Sequence, residues 1–159
     1  MRKSGILNQA ILNATGSLGH TDRIVVSDAG LPIPLGAVQN ARSYVYVGNL
    51  ADAVLACARH PAAAGRLFLV ADAHAWSTPQ MVRLIAREMG RPARLLPVPL
   101  AALRLLGRLT AKSREIGSLT ESLRIDASRL HAATGWSPPY TTEEGVARTV
   151  RWHLGLPTK

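Results

Sequence analysis

The tail of the chain constrains its fold most tightly. Arg124-Ile-Asp-Ala-Ser-Arg-Leu130 leads into Thr134-Gly-Trp-Ser-Pro-Pro139 and then Thr141-Thr-Glu-Glu-Gly145. Leu123 to Asp126 reads as extended, and Asp126 is placed to cap a short helix that Gly135 ends, glycine being the residue that most readily turns left-handed past a helix C-terminus. Thr141 and Glu144 are spaced as a capping box, each side chain serving the other's backbone N–H. Val146, Val150 and Leu154 then recur every four residues along one face. A strand, a short helix, a turn and a final amphipathic helix are expected here.

The same punctuation runs upstream. Gly30-Leu-Pro-Ile-Pro-Leu35-Gly36 is an extended loop, since each proline drives its predecessor out of helical space. Arg42-Ser-Tyr-Val-Tyr-Val47 reads as a strand. Asn49 is a candidate N-cap for a helix ending near Arg59, with Pro61 as its stop. Arg66 to Ala71 is a short apolar run of the kind a buried strand shows. Thr78 is expected to cap a helix carrying Pro79 in its first turn, with Met81, Leu84 and Ile85 on one face and Gly90 past its end. Ala93 to Pro99 is extended, Leu100 to Leu109 is apolar enough for a buried helix, and residues 111–121 read as a polar, mobile loop. Strands and helices alternate from residue 42 onward, which argues for a layered α/β or α+β domain, helix-rich with a few short strands. Residues 1–22 stay unassigned. Ile6-Leu7 and Ala10-Ile-Leu12 suit one amphipathic helix broken by Asn13 to Gly19, and Arg23-Ile-Val-Val26 suits a strand or a helix tail. The organisation expected is an unassigned segment 1–22 and one domain over 23–159.

Charge narrows the function classes. Nineteen Lys and Arg against ten Asp and Glu leave a net charge of +9, nearly all of it arginine. Arginine forks onto phosphate, so phosphorylated ligands fit; solvated surface arginines fit equally. The arginines form no run and aromatics make up only 4% of the chain, so a nucleic-acid partner is not expected. No apolar run reaches the roughly 18 to 20 residues of a membrane span, and no membrane partner is expected. The basic tip is followed by Asn8, Gln9 and Asn13, unlike a secretory leader. The single cysteine, Cys57, forms no internal disulfide, and a cytoplasmic location is the expectation. The five histidines have no metal-ligand spacing, so no metal site is expected.

Taken together, these segments resemble the C-terminal part of the extended short-chain dehydrogenase/reductase family, the NAD-dependent nucleotide-sugar epimerases and dehydratases of the UDP-glucose 4-epimerase type. The resemblance runs over about residues 23–155. It rests on the Gly30–Gly36 loop, on Arg42-Ser-Tyr-Val-Tyr-Val-Gly-Asn-Leu-Ala-Asp-Ala53, on Arg66-Leu-Phe-Leu-Val-Ala-Asp72 and on the closing Gly-Trp-x-Pro turn. Ser77-Thr-Pro before a helix is similar to members acting on sugars of bacterial surface polysaccharides. The resemblance implies a substrate-binding part for a nucleoside diphosphate sugar, with Arg42 at a phosphate and Asn49, Tyr44 and Leu35 as further substrate-side residues. Each has a plain alternative. Arg42 closes a loop or pairs with Asp52, Asn49 caps its helix, and Tyr44 packs with Tyr46 on one side of a sheet. Arg124 and Arg129 read as surface residues, Trp136 as a packing anchor and Cys57 as a small core residue.

Two family motifs have no counterpart in this sequence. The intact enzymes hold NAD on a Gly-x-x-Gly-x-x-Gly turn between a strand and a helix. Here Gly16 and Gly19 are flanked by Asn13 and Asp22. They also use a Tyr followed four residues later by a Lys that lowers its pKa. The positions four after Tyr44, Tyr46 and Tyr140 are Gly48, Leu50 and Glu144. The expectation is therefore a truncated or split chain, not catalytic alone and binding no cofactor, with a partner chain supplying the dinucleotide-binding half. The alternative is a stand-alone module that binds a nucleotide sugar or a protein without turnover. A remnant without function is the third reading.

Overall fold

The computed structural model describes residues 32–109, 111 and 113–157. Readings that fall on residues 1–31, the helix expected over Ile6 to Leu12 among them, lie outside the described residues. Six α-helices order the rest: α1 (Val47–Arg59), α2 (Thr78–Glu88), α3 (Leu100–Leu109), α4 (Ser113–Thr120), α5 (Ser128–Thr134) and α6 (Thr142–His153). No sheet forms among the described residues. Extended backbone meets at three isolated bridges instead: Ile33 with Leu95 in parallel, Arg42 with Trp76 in antiparallel, and Arg42 with Leu123 in parallel.

Several boundaries differ from those read in the sequence, each for a local reason. Residues 42–46 are extended but remain a bridge, and α1 begins at Val47, two residues before Asn49. Tyr46 occupies the N-cap position without a side-chain cap bond, so Asn49 is the third helical residue, not the cap. At α2 the cap is Ser77 rather than Thr78, because Gln80 stands three residues after Ser77 and closes the reciprocal box. Residues 113–120 are helical rather than a polar loop. Asp126 lies one residue before the N-cap Ala127 of α5, and its Oδ1 accepts from the Ser128 N–H at 2.9 Å. The Thr141–Glu144 box at α6 is as the sequence reads, and Gly135 takes a φ of 72° past α5.

The core is built in two clusters. Met81, Leu84 and Ile85 present one face of α2 to Val150 of α6, with Tyr44 between them. Tyr46 stands beside this cluster, edge-on to Tyr140 with ring centroids 5.6 Å apart. Its ring is flanked by Gly145 and Gly48: a Cβ on Gly145 would lie 2.7 Å from the Tyr46 Cγ, and one on Gly48 2.5 Å from its Cε1. The second cluster gathers Leu35, Val38 and Leu103, with Ile116 and Leu119 against it. Here α3 and α4 approach at Gly107, where a Cβ would meet the Ile116 Cδ1 at 2.9 Å.

Two apolar stretches read as buried are partly exposed. Arg66 to Ala71 forms no strand among the described residues, and Leu67 and Leu69 are 81% and 54% exposed. A buried parallel strand needs a neighbour on each edge and a layer on each face, and no described segment supplies them. In α3 only Leu103 and Gly107 are buried, while Leu105, Leu106 and Leu109 face outward. Among the described residues no helix is long and apolar enough to cross a membrane.

Candidate functional site

Two buried polar nodes hold the extended segments together. The first surrounds Arg42. Its backbone exchanges hydrogen bonds of 2.9 Å with Trp76 in both directions, and Ser43 N–H donates to the Leu123 carbonyl at 2.8 Å. The guanidinium Nη1 donates to the carbonyls of Ser118 and Glu121 at the end of α4, where a helix carries partial negative charge. Asn40 works beside it. Its Nδ2 reaches Thr78 Oγ1 at 2.8 Å and the Leu119 and Glu121 carbonyls, while its Oδ1 accepts from the Thr78 N–H. Thr78, relieved of capping, donates its hydroxyl to the Leu119 carbonyl. Arg42, Asn40 and Thr78 thus fasten the 118–121 backbone to α2.

The second node is Asp72, a buried carboxylate with no arginine or lysine bonded to it among the described residues. Both its oxygens accept from the Tyr46 N–H at 3.2 Å, Oδ1 accepts from Asn49 Nδ2 at 2.7 Å, and Oδ2 accepts from Thr142 Oγ1 at 3.1 Å. Tyr46 precedes α1 and Thr142 opens α6, so two helix N-termini converge on one negative charge. Helix N-termini favour an anion by about 0.3–1 kcal/mol each, more where water is excluded. Asp72 therefore satisfies the N–H of the α1 N-cap residue, as the third helical residue of a capping box does. Asn49, fully buried, completes the node by exchanging two hydrogen bonds with the Tyr140 backbone.

A cleft of about 290 Å³ opens next to this node, lined by Asp72, Ile125, His131, Trp136 and Ser137 among others. The 123–125 backbone links it to the first node, since Ile125 N–H donates to Ser43 Oγ at 3.0 Å. In the cleft, His131 Nδ1 lies 3.0 Å from the Trp136 carbonyl and 3.2 Å from Ser137 Oγ. A carbonyl only accepts, so a hydrogen bond to Trp136 is one that Nδ1 donates. Trp136 Nε1 donates to Asp52 at 2.7 Å, tying the turn to α1. Among the described residues no group of three or more His, Cys, Asp or Glu is arranged to hold a metal.

The four residues singled out from the sequence are all turned inward. Tyr44 lies in the α2–α6 cluster, Leu35 in the α3–α4 cluster, Asn49 in the Asp72 node and Arg42 in the first node. Arg42 and Tyr44 are close in sequence, and Tyr44 meets the second node through its carbonyl, which accepts from the Asp72 N–H at 2.7 Å. The alternative of an Arg42–Asp52 pair is not realised in the Asp52 contact above, which is with Trp136. Sequence reasoning passed over Asn40, Asp72, His131 and Ser137. Asp72 carried a usable signal, an acidic residue directly after an apolar run. Asn40 carried none, because its partners lie 38 to 81 residues away.

Comparison with known proteins finds similarities along the chain. Residues 1–58 match the RbsD / FucU transport protein family. The chain is 42% identical over 126 residues to UDP-glucose 4-epimerase of Vibrio cholerae, covering 79% of this chain and 38% of that protein. It is 24% identical over 144 residues to the uncharacterized protein y4nL of Sinorhizobium fredii (strain NBRC 101917 / NGR234), covering 80% of this chain and 40% of that protein. A shorter match is 58% identical over 36 residues to D-ribose pyranase of Bacillus thuringiensis (strain Al Hakam), covering 23% of this chain and 28% of that protein. The chain thus spans less than half the length of each of these curated relatives. The RbsD / FucU match crosses the boundary at residue 22 drawn from the sequence. An alignment covering 79% of the chain cannot lie wholly beyond residue 58, so the two similarities share a stretch.

Proposed function

We propose that this chain is the substrate-side portion of a nucleotide-sugar epimerase-type enzyme and binds a nucleoside diphosphate sugar without turning it over alone. The observation that carries the reading is the 42% identity to a UDP-glucose 4-epimerase along 79% of the chain. Arg42 is the proposed phosphate ligand. Its guanidinium meets main-chain carbonyls of 118–121 here, and a diphosphate offers the same group stronger, charge-assisted acceptors. Asn49, Tyr44 and Leu35 then act by holding the surrounding fold rather than by touching the sugar. The proposed partner is a chain carrying the dinucleotide-binding half, whose sheet would extend onto the exposed 66–71 segment; NAD would be held there and not by this chain.

Calorimetric titration with UDP tests the assignment. Arg42→Ala should weaken binding by about 1.5–3 kcal/mol, the range for a hydrogen bond to a charged group. Arg42→Lys should recover part of it, keeping the charge and losing the fork. Unchanged UDP affinity in a folded Arg42→Ala protein removes Arg42 from the site. Absence of UDP binding by the wild-type chain ends the stand-alone module reading and leaves the partner-dependent one.

A second reading rests on the match of residues 1–58 to the RbsD / FucU family and on the short pyranase similarity. On that reading the leading segment contributes to handling a free pentose. Titration with D-ribose separates the two: saturable ribose binding without UDP binding favours the second.

A further inference from the structure

The outward face of α3 has no place in either node or in the cleft. At about 100° per residue, Ala101, Ala102, Leu105 and Leu109 fall opposite Leu103 and Gly107, the two residues that α3 buries. Leu105 is 59% and Leu109 77% exposed, and Leu106 flanks them at 51%. Arg104 and Arg108 form the other edge of the stripe, and both are exposed. The sequence from Arg91 to the start of α4 is basic, and Glu115 is the next acidic residue. From Arg91 to Arg114 the sequence holds Arg91, Arg94, Arg104, Arg108, Lys112 and Arg114 and not one Asp or Glu. These six cations are two thirds of the chain's net charge of +9.

We propose that this face of α3 rests on an anionic membrane surface. A surface helix with leucines along one side and arginines at its edge matches the two layers of a bilayer interface. Leu105 and Leu109 enter the acyl boundary while the arginine stems lie along it and carry their guanidinium groups to the lipid phosphates. The face is a convex helix surface rather than a groove. The arginines at its edge give the face a positive charge, which an anionic bilayer complements. The contact is peripheral: α3 has 10 residues and lies on the surface of the fold without spanning a bilayer. The proposal is independent of the nucleotide-sugar reading.

Vesicle co-sedimentation of the full chain tests it, with equal parts phosphatidylglycerol and phosphatidylcholine in one set and phosphatidylcholine alone in the other. Binding is expected only to the anionic vesicles and is expected to fall as salt rises, because headgroup attraction is screened. Arg104→Gln with Arg108→Gln should weaken it roughly 25-fold, at about five-fold for each cation near the surface. Leu105→Asn with Leu109→Asn should abolish it while the circular dichroism spectrum is unchanged, since both side chains are exposed. Equal binding to both vesicle types, or no binding to either, overturns the proposal. So does a lipid-free self-association, seen by sedimentation equilibrium, that the leucine substitutions dissolve without any vesicle binding, for then the face is a contact between copies of this chain.

Discussion

Asp72 shows how one residue can fix two helices. Its carboxylate receives the Tyr46 N–H, Asn49 Nδ2 and Thr142 Oγ1. Asp72→Ala leaves these donors buried without acceptors, a cost of about 1–3 kcal/mol for each unsatisfied group. Partial relaxation should bring the total to about 3–5 kcal/mol in urea unfolding. Asp52→Ala, which loses one exposed bond to Trp136, should cost less than about 1 kcal/mol. If the two substitutions cost the same, Asp72 does not anchor the helices. Asp126 has a milder, exposed version of this role. Hydrogen bonds from Ser128, first the side chain and then the backbone, hold its carboxyl below the usual carboxylate range. A depressed folded-state pKa means the cap contributes above the ordinary carboxylate pKa and is lost as pH falls through the folded value. Backbone amide shifts at Ser128 followed by NMR should report that titration.

Among the elements, those with self-contained signals were legible in the sequence. The Thr141–Glu144 box, the end of α1 before Pro61 and the end of α5 at Gly135 depend on residues a turn apart. The start of α2 shifted by one because Ser77 and Thr78 are both capping residues, and only the Gln80 spacing chooses between them. Ser77→Ala should therefore cost about 1 kcal/mol, while capping alone predicts no loss from Thr78→Ser, which keeps its hydroxyl. What local pattern could not supply was the presence of a second layer. Leu67, Leu69, Leu105 and Leu109 have the composition of buried residues and are exposed. Arg42, Asn49, Tyr44 and Leu35 are turned inward by partners far away in sequence, and the cleft at His131 depends on a turn whose reach to α1 is tertiary. Two glycines separate local propensity from packing. Gly117 in α4 would place a Cβ 3.3 Å from Glu121 Oε1, the mobile end of a side chain, so Gly117→Ala should stabilise by about 0.5–1 kcal/mol. Gly145 in α6 would place one against Tyr46 Cγ and Cβ, near the fixed base of an aromatic ring. Overpacking of about 1–3 kcal/mol then exceeds the helical gain, and Gly145→Ala should lower the melting temperature. A stabilised Gly145→Ala protein would show that the Tyr46 ring moves aside at little cost.

At the scale of the whole molecule, a chain similar to 38% of an epimerase keeps two polar nodes and a packed core but exposes the flank of an apolar segment. Exposed extended backbone bearing leucines is a template for pairing. Leu67→Lys with Leu69→Lys should reduce concentration-dependent association in sedimentation velocity, and an unchanged profile would place association elsewhere. The absent glycine turn predicts no NAD binding by the isolated chain, and saturable micromolar binding in calorimetry would contradict that. The central claim, that this is a nucleotide-sugar-binding portion organised around Arg42, is tested most directly by mapping amide shifts during titration with UDP. The account predicts saturable shifts largest at Arg42, Trp76 and residues 118–123, which share the first node. Saturation with D-ribose instead, or UDP shifts that leave those residues unmoved, would contradict it.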